Sequence, residues 1–571
     1  MQAPKHKSKL MKLLLGIDYG TGGCKVTVLD ETGAFVGEAS TEYVTYHDHP
    51  GWSEQEPGDW WTSLKASLDK LRAKGVDLSQ VAACSLDGST HNAVLLDADY
   101  KPVRRTIMWT DQRATAECEA LRAGWSEKIF STCYQMPAPT WTLPQMMWLK
   151  ANEPEALEKT AHVLFVKDYV RYLLTGEAAT DYIEAQGTLF FDMAKSAWDA
   201  DLVQMAGLSP AKLPRLIAPT DIAGHVTAAA AAETGLPEGM PVVCGTSDSA
   251  VEDYGAGAVE PGDLIIKLAT AGNVNSMTAA AHPHPKTLTY SHVVPGMWYS
   301  VSATNAAALC MRWLRDTFYL PEAGKMVKSA ATPPLSGASP LSGPTALRPE
   351  GPLSREAALS AEGALSPAGA LRPEGPLSPA GALRAAGPLN NVFALIDGEA
   401  SGSPIGSNGV FFHPYLQGER CPYWDANLRA SFTGVSISST RGDFARALME
   451  GVAFSLRDCY RTLEEMKLPV KRIFLIGGGA RSPLWSEIVA NVFNCSVAVP
   501  TPGDASFGAC LLAGTGIGLF ADVKDAVAKC LHIDRTIAPD PAAAAKYDHL
   551  FTCYRRIHDA LAPVYTQRKE K

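Results

Sequence analysis

The stretch LLLGIDYGTGGCKVTVLDETGAF, residues 13–35, decides the fold class of this chain. Its apolar opening, residues 12–17, predicts a buried central strand that runs into a glycine-rich turn at 18–23. Residues 25–29 and 34–39 predict two further strands separated by a short turn. The chain therefore begins with strands joined by tight turns, and the first turn carries an aspartate and a threonine among its glycines.

Helices follow this opening. Apolar side chains at helical spacing predict a helix over residues 57–73, and further strands are expected near 81–86, 93–97 and 105–109. A hairpin-rich start that leads into helices and more strands is typical of an α/β fold.

The second half of the chain repeats the opening pattern. Residues 264–268 predict an apolar strand that leads into the turn Ala269-Thr270-Ala271-Gly272. A later strand over 472–476 runs into Gly477-Gly478-Gly479 and then a helix. Two strand–turn units of one kind, about 250 residues apart, predict two domains of related design that face each other.

We expect the first domain to span residues 10–245 and the second to span 246–565. Within the second, residues 342–389 form four units of twelve residues, rich in proline and glycine and without aromatic residues. Such a composition buries too little apolar area to offset the entropy of ordering, so 325–390 is predicted to be a disordered insertion. A twelve-residue solenoid is the alternative, but the period is too short for the usual helical repeats and too proline-rich for a β-helix.

The composition excludes several classes of function. The chain has 571 residues and a formal net charge of −9, so it lacks the broad basic surface of a nucleic-acid-binding protein. Twelve scattered cysteines without a CxxC pair indicate reduced thiols and a cytoplasmic protein. The lysines before residue 13 superficially resemble a signal peptide, but the apolar run is short and Asp18 interrupts it. Because no run of about 18 apolar residues occurs, no membrane span is expected.

The glycine-rich turns are candidate phosphate loops. Glycines allow backbone N–H groups to approach phosphate oxygens, and threonine adds a hydroxyl donor. A carboxylate at a strand end, here Asp18, can hold Mg²⁺ directly or through water. A plain turn is the alternative at each place, although a triphosphate needs loops on two sides. The predicted ATP-binding residues are Asp18, Thr21, Gly22 and Gly23, then Thr270 and Gly272, and, next to the adenosine, Gly478, Gly479 and Ala480.

Asp248 is the candidate catalytic base. It follows the predicted strand 241–243 among small residues, where a carboxylate is well placed to accept a hydroxyl proton during phosphoryl transfer. The alternative is that Asp248 caps the helix that follows it. Asp253, five residues on, is a rival carboxylate.

Two polar segments are candidates for the substrate side. Residues 87–92, Asp-Gly-Ser-Thr-His-Asn, combine the donors and acceptors that a polyhydroxylated substrate needs, although a single histidine is more often structural. Residues 109–113, Trp-Thr-Asp-Gln-Arg, offer an apolar plate, a carboxylate and a guanidinium. Residues 52–55 are either a structural loop or a wall of the same pocket.

Together these segments resemble the FGGY carbohydrate kinases, and within them the xylulose kinase branch, from about Leu13 to Leu519. The motifs follow one another in the family's order. They are residues 18–21, 52–55, 88–92, 109–113, 167–169, Asp248, Thr270, 414–420, 450–452 and 477–482.

The resemblance implies two actin-like, ribonuclease H-like ATPase domains with ATP and a sugar meeting in the cleft between them. It implies that Asp248 is the general base and that ATP and Mg²⁺ are required. It further implies a sugar site with Thr90, His91, Trp109, Asp111 and Ser249, a first phosphate loop with Asp18 and Thr21 near Mg²⁺, a second with Thr270 and Gly272, and adenosine contacts at 477–482.

The expected reaction is therefore the conversion of D-xylulose to D-xylulose 5-phosphate. The sequence departs from the family pattern at three places that bear on the choice of D-xylulose. Xylulose kinases usually have Gln-Met-His-Gly at 89–92, Gly-Gly-Asp-Asn at 246–249 and lysine at Gln145. A kinase for another ketopentose, a polyol or gluconate is the alternative, and an actin- or chaperone-like ATPase or an inactive sugar sensor is the alternative from another class. The oligomeric state stays open, with a homodimer as one expectation.

Overall fold

The computed structural model describes residues 12–319 and 388–567. The predicted insertion at 325–390 lies outside the described residues, except for its last three positions. These three open the helix Pro388–Ser401.

The first sheet has six strands and contains the opening stretch of the sequence. The strand Leu13–Gly20 pairs antiparallel with Gly23–Asp30 and parallel with Val81–Gly88. The predicted strands at the start of the chain are therefore confirmed. Across the sheet the order is Ile222–His225, Pro241–Val243, Val81–Gly88, Leu13–Gly20, Gly23–Asp30 and Phe35–Glu42.

The second sheet has seven strands and repeats the pattern of the first. Its strand Asp263–Leu268 pairs antiparallel with Gly272–Thr278 and parallel with Arg472–Ile476. Each sheet thus starts with an antiparallel hairpin and adds parallel strands on the other side of its first strand, which confirms the predicted α/β fold of two related domains. The order is Leu288–Ser291, Trp298–Thr304, Gly272–Thr278, Asp263–Leu268, Arg472–Ile476, Val497–Thr501 and His532–Ile537.

The first turn is shorter than the sequence predicted. Residues 18–20 continue the strand, and Gly20 pairs with Gly23, so only Thr21 and Gly22 make the turn. The difference matters because Asp18 lies in the ladder, held in register with residue 87 of the neighbouring strand.

Helices cover the faces of both sheets. The predicted helix at 57–73 is confirmed as Pro57–Ala73. The other helices are Thr115–Gly124, Ser126–Cys133, Thr142–Asn152, Pro154–Lys159, Val166–Thr175, Tyr182–Gln186, Ala200–Met205, Ala228–Thr234, Asp248–Gly255, Ala308–Leu314, Pro388–Ser401, Arg441–Glu465, Pro483–Phe493, Ala505–Gly516, Val523–Cys530 and Pro541–Gln567. The strands Thr45–Tyr46, Glu54–Gln55 and Thr106–Ile107 form a small three-stranded sheet. Over residues 12–319 and 388–567, four two-stranded sheets pair Ala93–Leu96 with His162–Phe165, Ala179–Asp181 with Arg215–Ile217, Phe191–Asp192 with Ala197–Trp198, and Phe411–His413 with Ser431–Thr433.

The helix Ala505–Gly516 joins the two halves because it packs on the first sheet although it comes late in the chain. The Thr27 and Ser506 hydroxyls lie 2.7 Å apart, and the Cys510 thiol donates to the Thr27 carbonyl oxygen at 3.2 Å. A Cβ at Gly16 would stand 1.9 Å from the Ser506 carbonyl oxygen, so only glycine permits this approach. The predicted domain boundary between residues 245 and 246 stays a prediction.

Within the residues that the structure describes, no helix is both long enough and apolar enough to cross a membrane.

Candidate active site

Two carboxyl groups face each other near the carboxyl ends of two central strands of the first sheet. Asp18 and Asp87 are directly opposite on neighbouring parallel strands. Asp87 is completely buried, and no basic side chain in the described part of the chain forms an ion pair with it. Burial raises the pKa of Asp18 to about 7, with the nearby Asp248 adding to the rise and the contact with Asp87 opposing it. Burial, and then Asp18, raise the pKa of Asp87 well above its ordinary value.

This pair fits a magnesium ion that arrives with a nucleotide. Mg²⁺ is usually held by one or two carboxylates together with waters and substrate phosphates. The buried, partnerless oxygens of Asp87 beside Asp18 supply such a donor set. Among the described residues, no cluster of three or more metal-ligating side chains occurs.

The first candidate phosphate loop is exposed, and two side chains from neighbouring segments donate hydrogen bonds to it. Thr21 and Gly22 are exposed, and Gly23 is half-buried. The Gln55 side-chain amide donates to the Thr21 carbonyl oxygen at 2.7 Å. The Trp109 indole N–H donates to the Thr21 hydroxyl at 3.2 Å. The predicted sugar side and the predicted phosphate side therefore meet at Thr21.

Asp248 opens the helix Asp248–Gly255, but it does not cap that helix. Ser247 occupies the capping position, and Asp248 is the first helical residue. Its Oδ1 accepts hydrogen bonds from the Ser249 backbone N–H at 2.7 Å and from the Thr90 hydroxyl at 3.4 Å. Gly245, with a φ of +70°, makes the preceding turn, and a Cβ there would lie 1.7 Å from the Leu86 carbonyl oxygen.

Exposure and hydrogen bonding favour Asp248 over its rival Asp253 as a proton acceptor. Burial raises the pKa of Asp248, Lys267 opposes the rise and Glu252 adds to it. Asp248 is half-buried, whereas Asp253 is buried and accepts both available hydrogen bonds from the Asn275 amide at 2.9 Å. Burial raises the pKa of Asp253 to about 8. Asp253 is thus engaged inside the protein.

The loop that contains Thr90 and His91 is held in an unusual backbone conformation. His91 has a φ of +56°, in the left-handed region. Its backbone N–H donates to Glu184 at 2.5 Å, and its carbonyl oxygen accepts from the Thr142 hydroxyl at 2.6 Å. Burial lowers the pKa of His91 to about 3, so the ring is neutral and offers one donor and one acceptor. The ring packs against Trp141.

A buried ionic network supports this loop, and sequence reasoning found only part of it. Lys167 pairs with Asp168 at 2.6 Å and with Asp181 at 2.8 Å, and Arg171 pairs with Asp168 at 2.9 Å. The Thr246 hydroxyl donates to Asp181 at 2.6 Å, which ties the network to the segment before Asp248. Residues 167–169 are one of the motifs in the family resemblance, but the sequence predicts no role for them.

Glu184 was missed altogether in the sequence. Burial is the main cause that raises its pKa well above the ordinary value. A glutamate in a five-residue helix carries no local signal, because its partner His91 is 93 residues away in the chain.

Trp109 and Asp111 lie near the site in different ways. Trp109 is 36% exposed, whereas Asp111 has no exposed surface. The Asp111 carboxylate pairs with Arg113 at 2.8 Å and accepts from the Ser53 backbone N–H at 2.5 Å. Asp111 therefore joins the segments 52–55 and 109–113, and its predicted contact with a substrate stays a prediction.

The loops of the second sheet are neighbours because the strands before them are adjacent and parallel. Thr270 is exposed, and Gly272 is buried where the next strand begins. Gly478 is exposed with open space around it, while Gly479 and Ala480 are buried in the turn that precedes the helix Pro483–Phe493. The structure thus brings the candidate second phosphate loop and the predicted adenosine motif together at the same end of the second sheet.

Arg312 is a further residue that the sequence did not reveal. Its guanidinium donates to the Thr270 hydroxyl at 2.7 Å, and its side chain is exposed on the helix Ala308–Leu314. No carboxylate in the described ranges forms an ion pair with it. The backbone N–H groups of residues 307 and 308 donate to the Thr270 and Ala269 carbonyl oxygens at 3.0 and 2.7 Å. The loop is therefore fixed by a helix that begins 38 residues later in the chain.

The two halves meet beside Asp248. Lys267, the penultimate residue of the strand before the second loop, forms an ion pair with Glu252 on the Asp248–Gly255 helix. Asp248 thus has Thr90 of the sugar-side loop within hydrogen-bonding reach and a lysine of the second sheet as an electrostatic neighbour.

Comparisons with known proteins agree with this architecture. The family model of the N-terminal domain of the FGGY family of carbohydrate kinases matches residues 13–255, and that of the C-terminal domain matches 270–517. Xylulose kinase from Lactococcus lactis is 29% identical over 98% of this chain and 99% of its own length. Xylulose kinase from Bacillus subtilis is 28% identical, covering 96% of this chain and 97% of the relative. The crystal structure of xylulose kinase from Rhodospirillum rubrum superposes with a TM-score of 0.78 at 27% identity, over 97% of this chain and all of that one.

Proposed function

This chain belongs to the FGGY family of carbohydrate kinases, and from that premise we propose that it transfers the terminal phosphoryl group of ATP to D-xylulose, giving D-xylulose 5-phosphate. The observation that carries the proposal is the position of Asp248, half-buried between Thr90 and Lys267. The xylulose kinases among its relatives, similar over almost their whole length, support the choice of sugar.

Asp248 is proposed as the general base. It accepts the proton of the attacking sugar hydroxyl while that oxygen bonds to the γ-phosphorus. The bond between the γ-phosphorus and the oxygen of the leaving ADP breaks. The raised pKa of Asp248 supports this role, because a base is most effective when its pKa approaches the working pH.

The loops are proposed to hold the nucleotide from two sides. Exposed backbone N–H groups and hydroxyls at 21–23 and 270–272 suit phosphate oxygens. Arg312 adds a guanidinium next to Thr270 and has a free forked donor face for a phosphate. The open space around Gly478, with Gly479 and Ala480 beneath it, suits the adenosine.

Asp18 is proposed as the magnesium residue, directly or through water, with Asp87 behind it. When bound, Mg²⁺ neutralises charge on the phosphates during transfer. Burial raises the pKa values of both carboxyl groups, and a bound cation would favour their ionised forms.

The sugar is proposed to contact Thr90, His91, Ser249 and Trp109, with Asp111 holding the wall behind them. The neutral His91 ring supplies both kinds of hydrogen-bonding group to hydroxyls. Its rigid backbone, fixed by Glu184, supports a preformed pocket.

An ADP-release assay over D-xylulose, D-ribulose, L-xylulose, gluconate, glycerol and pentitols tests the substrate. We expect kcat/KM to be highest for D-xylulose. A higher value for gluconate would reassign the sugar within the family, and no release with any sugar would refute a kinase function.

For the assembly and location we propose a cytoplasmic homodimer. All twelve cysteines are free thiols, which suits a reducing compartment. Light scattering on the purified protein measures the mass, and a monomer would refute the dimer.

A further inference from the structure

Lys267 is a charged residue in an apolar strand. The strand Asp263–Leu268 lies inside the second sheet, and Leu264, Ile265, Ile266 and Leu268 have no exposed surface. The Lys267 side chain is 28% exposed. A lysine in such a place destabilises the fold unless an anion pairs with it. Its presence therefore calls for an explanation by its surroundings.

The anion that pairs with Lys267 is one helical turn away from Asp248. The Lys267 ammonium forms a short ion pair with the Glu252 carboxylate, which is 17% exposed. Glu252 follows Asp248 by four residues on the Asp248–Gly255 helix, so the two side chains lie on the same helical face. The ion pair thereby holds the ammonium close enough to act electrostatically on the Asp248 carboxylate.

We propose that Lys267 is a positioning residue for phosphoryl transfer: clamped by Glu252, it keeps the Asp248 carboxylate ionised and ready to accept the sugar proton. The inference rests on the proposed function of Asp248 as base. Lys267 and Glu252 act through Asp248 and need not touch the substrate.

The electrostatics around Asp248 support this arrangement. Burial raises the pKa of Asp248, Lys267 counteracts the rise, and Glu252 reinforces it. Lys267 is thus the cation that opposes a surplus of acidic groups. The titratable groups that face Asp248 are Glu252 on its own helix, Asp18 and Asp87 on the first sheet, Tyr43 beside that sheet, and Lys267, Tyr290 and Tyr299 on the second.

The proposal predicts opposite effects for the two members of the ion pair. Lys267→Met removes the cation and leaves Glu252 unbalanced, so the pKa of Asp248 rises. Glu252→Gln removes an anion and leaves Lys267 unbalanced, so the pKa of Asp248 falls. A merely structural ion pair would give shifts of the same sign, or none, because either variant breaks the same contact.

The experiment measures the pH dependence of kcat/KM for ADP release in both single variants. We expect the acidic limb to move up by about one pH unit in Lys267→Met and down by a similar amount in Glu252→Gln. The double variant Lys267→Met/Glu252→Gln should return the limb towards its original pH. Shifts of the same sign, or unshifted limbs, would overturn the proposal.

Two further variants guard against misfolding. Lys267→Arg keeps the charge and should keep the wild-type limb. Lys524→Met breaks the exposed 2.8 Å pair with Glu260 on the protein surface and should leave the whole profile unchanged. The double variant replaces the ion pair with neutral side chains of similar size, a change that proteins often tolerate.

A second readout separates this inference from the proposed function. The thiol of Asp248→Cys can be titrated by its rate of alkylation with iodoacetamide, followed by mass spectrometry of the peptide. We expect its pKa to be about one unit higher in Asp248→Cys/Lys267→Met than in Asp248→Cys alone. If the wild-type enzyme phosphorylates no sugar, this measurement still decides the effect of Lys267, and equal thiol pKa values would refute it.

Discussion

The two hairpins that open the two sheets share a backbone plan but carry opposite charges at one equivalent position. Asp18 stands three residues before Thr21 in the first, and Lys267 stands three residues before Thr270 in the second. Each lies in the strand that pairs antiparallel on one side and parallel on the other. The turns differ in length, with two residues between the paired ends of the first hairpin and three in the second.

The neighbours of Asp18 and Lys267 indicate different functions for the two hairpins. Asp18 faces a second carboxyl group, Asp87, and no basic side chain among the described residues forms an ion pair with either of them. Lys267 faces Glu252, so its charge is balanced within the protein. We infer that the first hairpin serves to bind a metal ion and that the second hairpin controls the base. The backbone of a strand end sets where a side chain lies, whereas the residue type sets its charge.

The largest effect is expected at Asp248, which lies between the hairpins. Asp248→Asn should lower kcat by about 10²–10⁴-fold, because the amide cannot accept the sugar proton. Calorimetry should show nearly unchanged ATP binding. Full turnover in this variant would exclude Asp248 as the base.

The next prediction concerns Asp87, which lies opposite Asp18 of the first hairpin, and uses the variant Asp87→Asn. Removing the carboxyl group behind Asp18 should raise the Mg²⁺ concentration for half-maximal rate by about 10–100-fold. The KM for the sugar should change much less. An unchanged magnesium requirement would show that the buried pair does not serve the metal.

The second hairpin is tested by Arg312→Ala, which removes the guanidinium next to Thr270. Loss of a charged hydrogen bond of about 1.5–3 kcal/mol should raise the KM for ATP by roughly 10–100-fold. Arg312→Lys should recover part of the loss. If the KM for ATP does not move, Arg312 serves only to brace Thr270.

His91→Ala tests whether the sugar side belongs to the first hairpin's half of the site. The variant should raise the KM for D-xylulose by about tenfold, the value of one hydrogen bond, and leave the KM for ATP nearly unchanged. Kinetics with each substrate varied in turn measure both. An equal change in the two constants would contradict a specific sugar contact.

The smallest effect concerns the stability of the magnesium-free protein. A carboxyl group whose pKa is higher in the folded state contributes stability that is complete below pH 3.8 and is lost as the pH rises to about 7. The unfolding midpoint should therefore fall by roughly 2–4 °C over this window. The slope should flatten in Asp18→Asn, and Mg²⁺ with ADP should restore stability at pH 8. A calorimetric scan at several pH values measures this, and a midpoint that rises with pH in the wild type but not in Asp18→Asn would contradict it.

Local sequence patterns predicted the elements well. The strand at 472–476 is observed with those bounds, and the helix at 57–73 likewise. The predicted turn at 18–23 is longer than the observed one, because Gly20 and Gly23 pair across the hairpin and belong to its strands. Periodicity and turn chemistry are local, so they locate elements better than their ends.

The candidate site was predicted in part. Asp248, Thr90 and Thr21 were found because motifs keep them next to glycines and small residues. Glu184 and Arg312 were not, since each is an ordinary residue of a helix and gains its role from a partner far away in the chain. Asp111 was predicted as a sugar contact; the structure buries it and pairs it with Arg113, and the contact itself stays a prediction.

The sequence by itself determined the α/β class, the repeated strand–turn unit and the family resemblance, because these follow from the spacing of apolar residues, glycines and short motifs. Only the tertiary structure decided which charges meet. Asp18 with Asp87 and Lys267 with Glu252 are brought together by sheet register and helix packing. Burial and neighbouring charges then set their pKa values, and neither can be known until distant segments have packed.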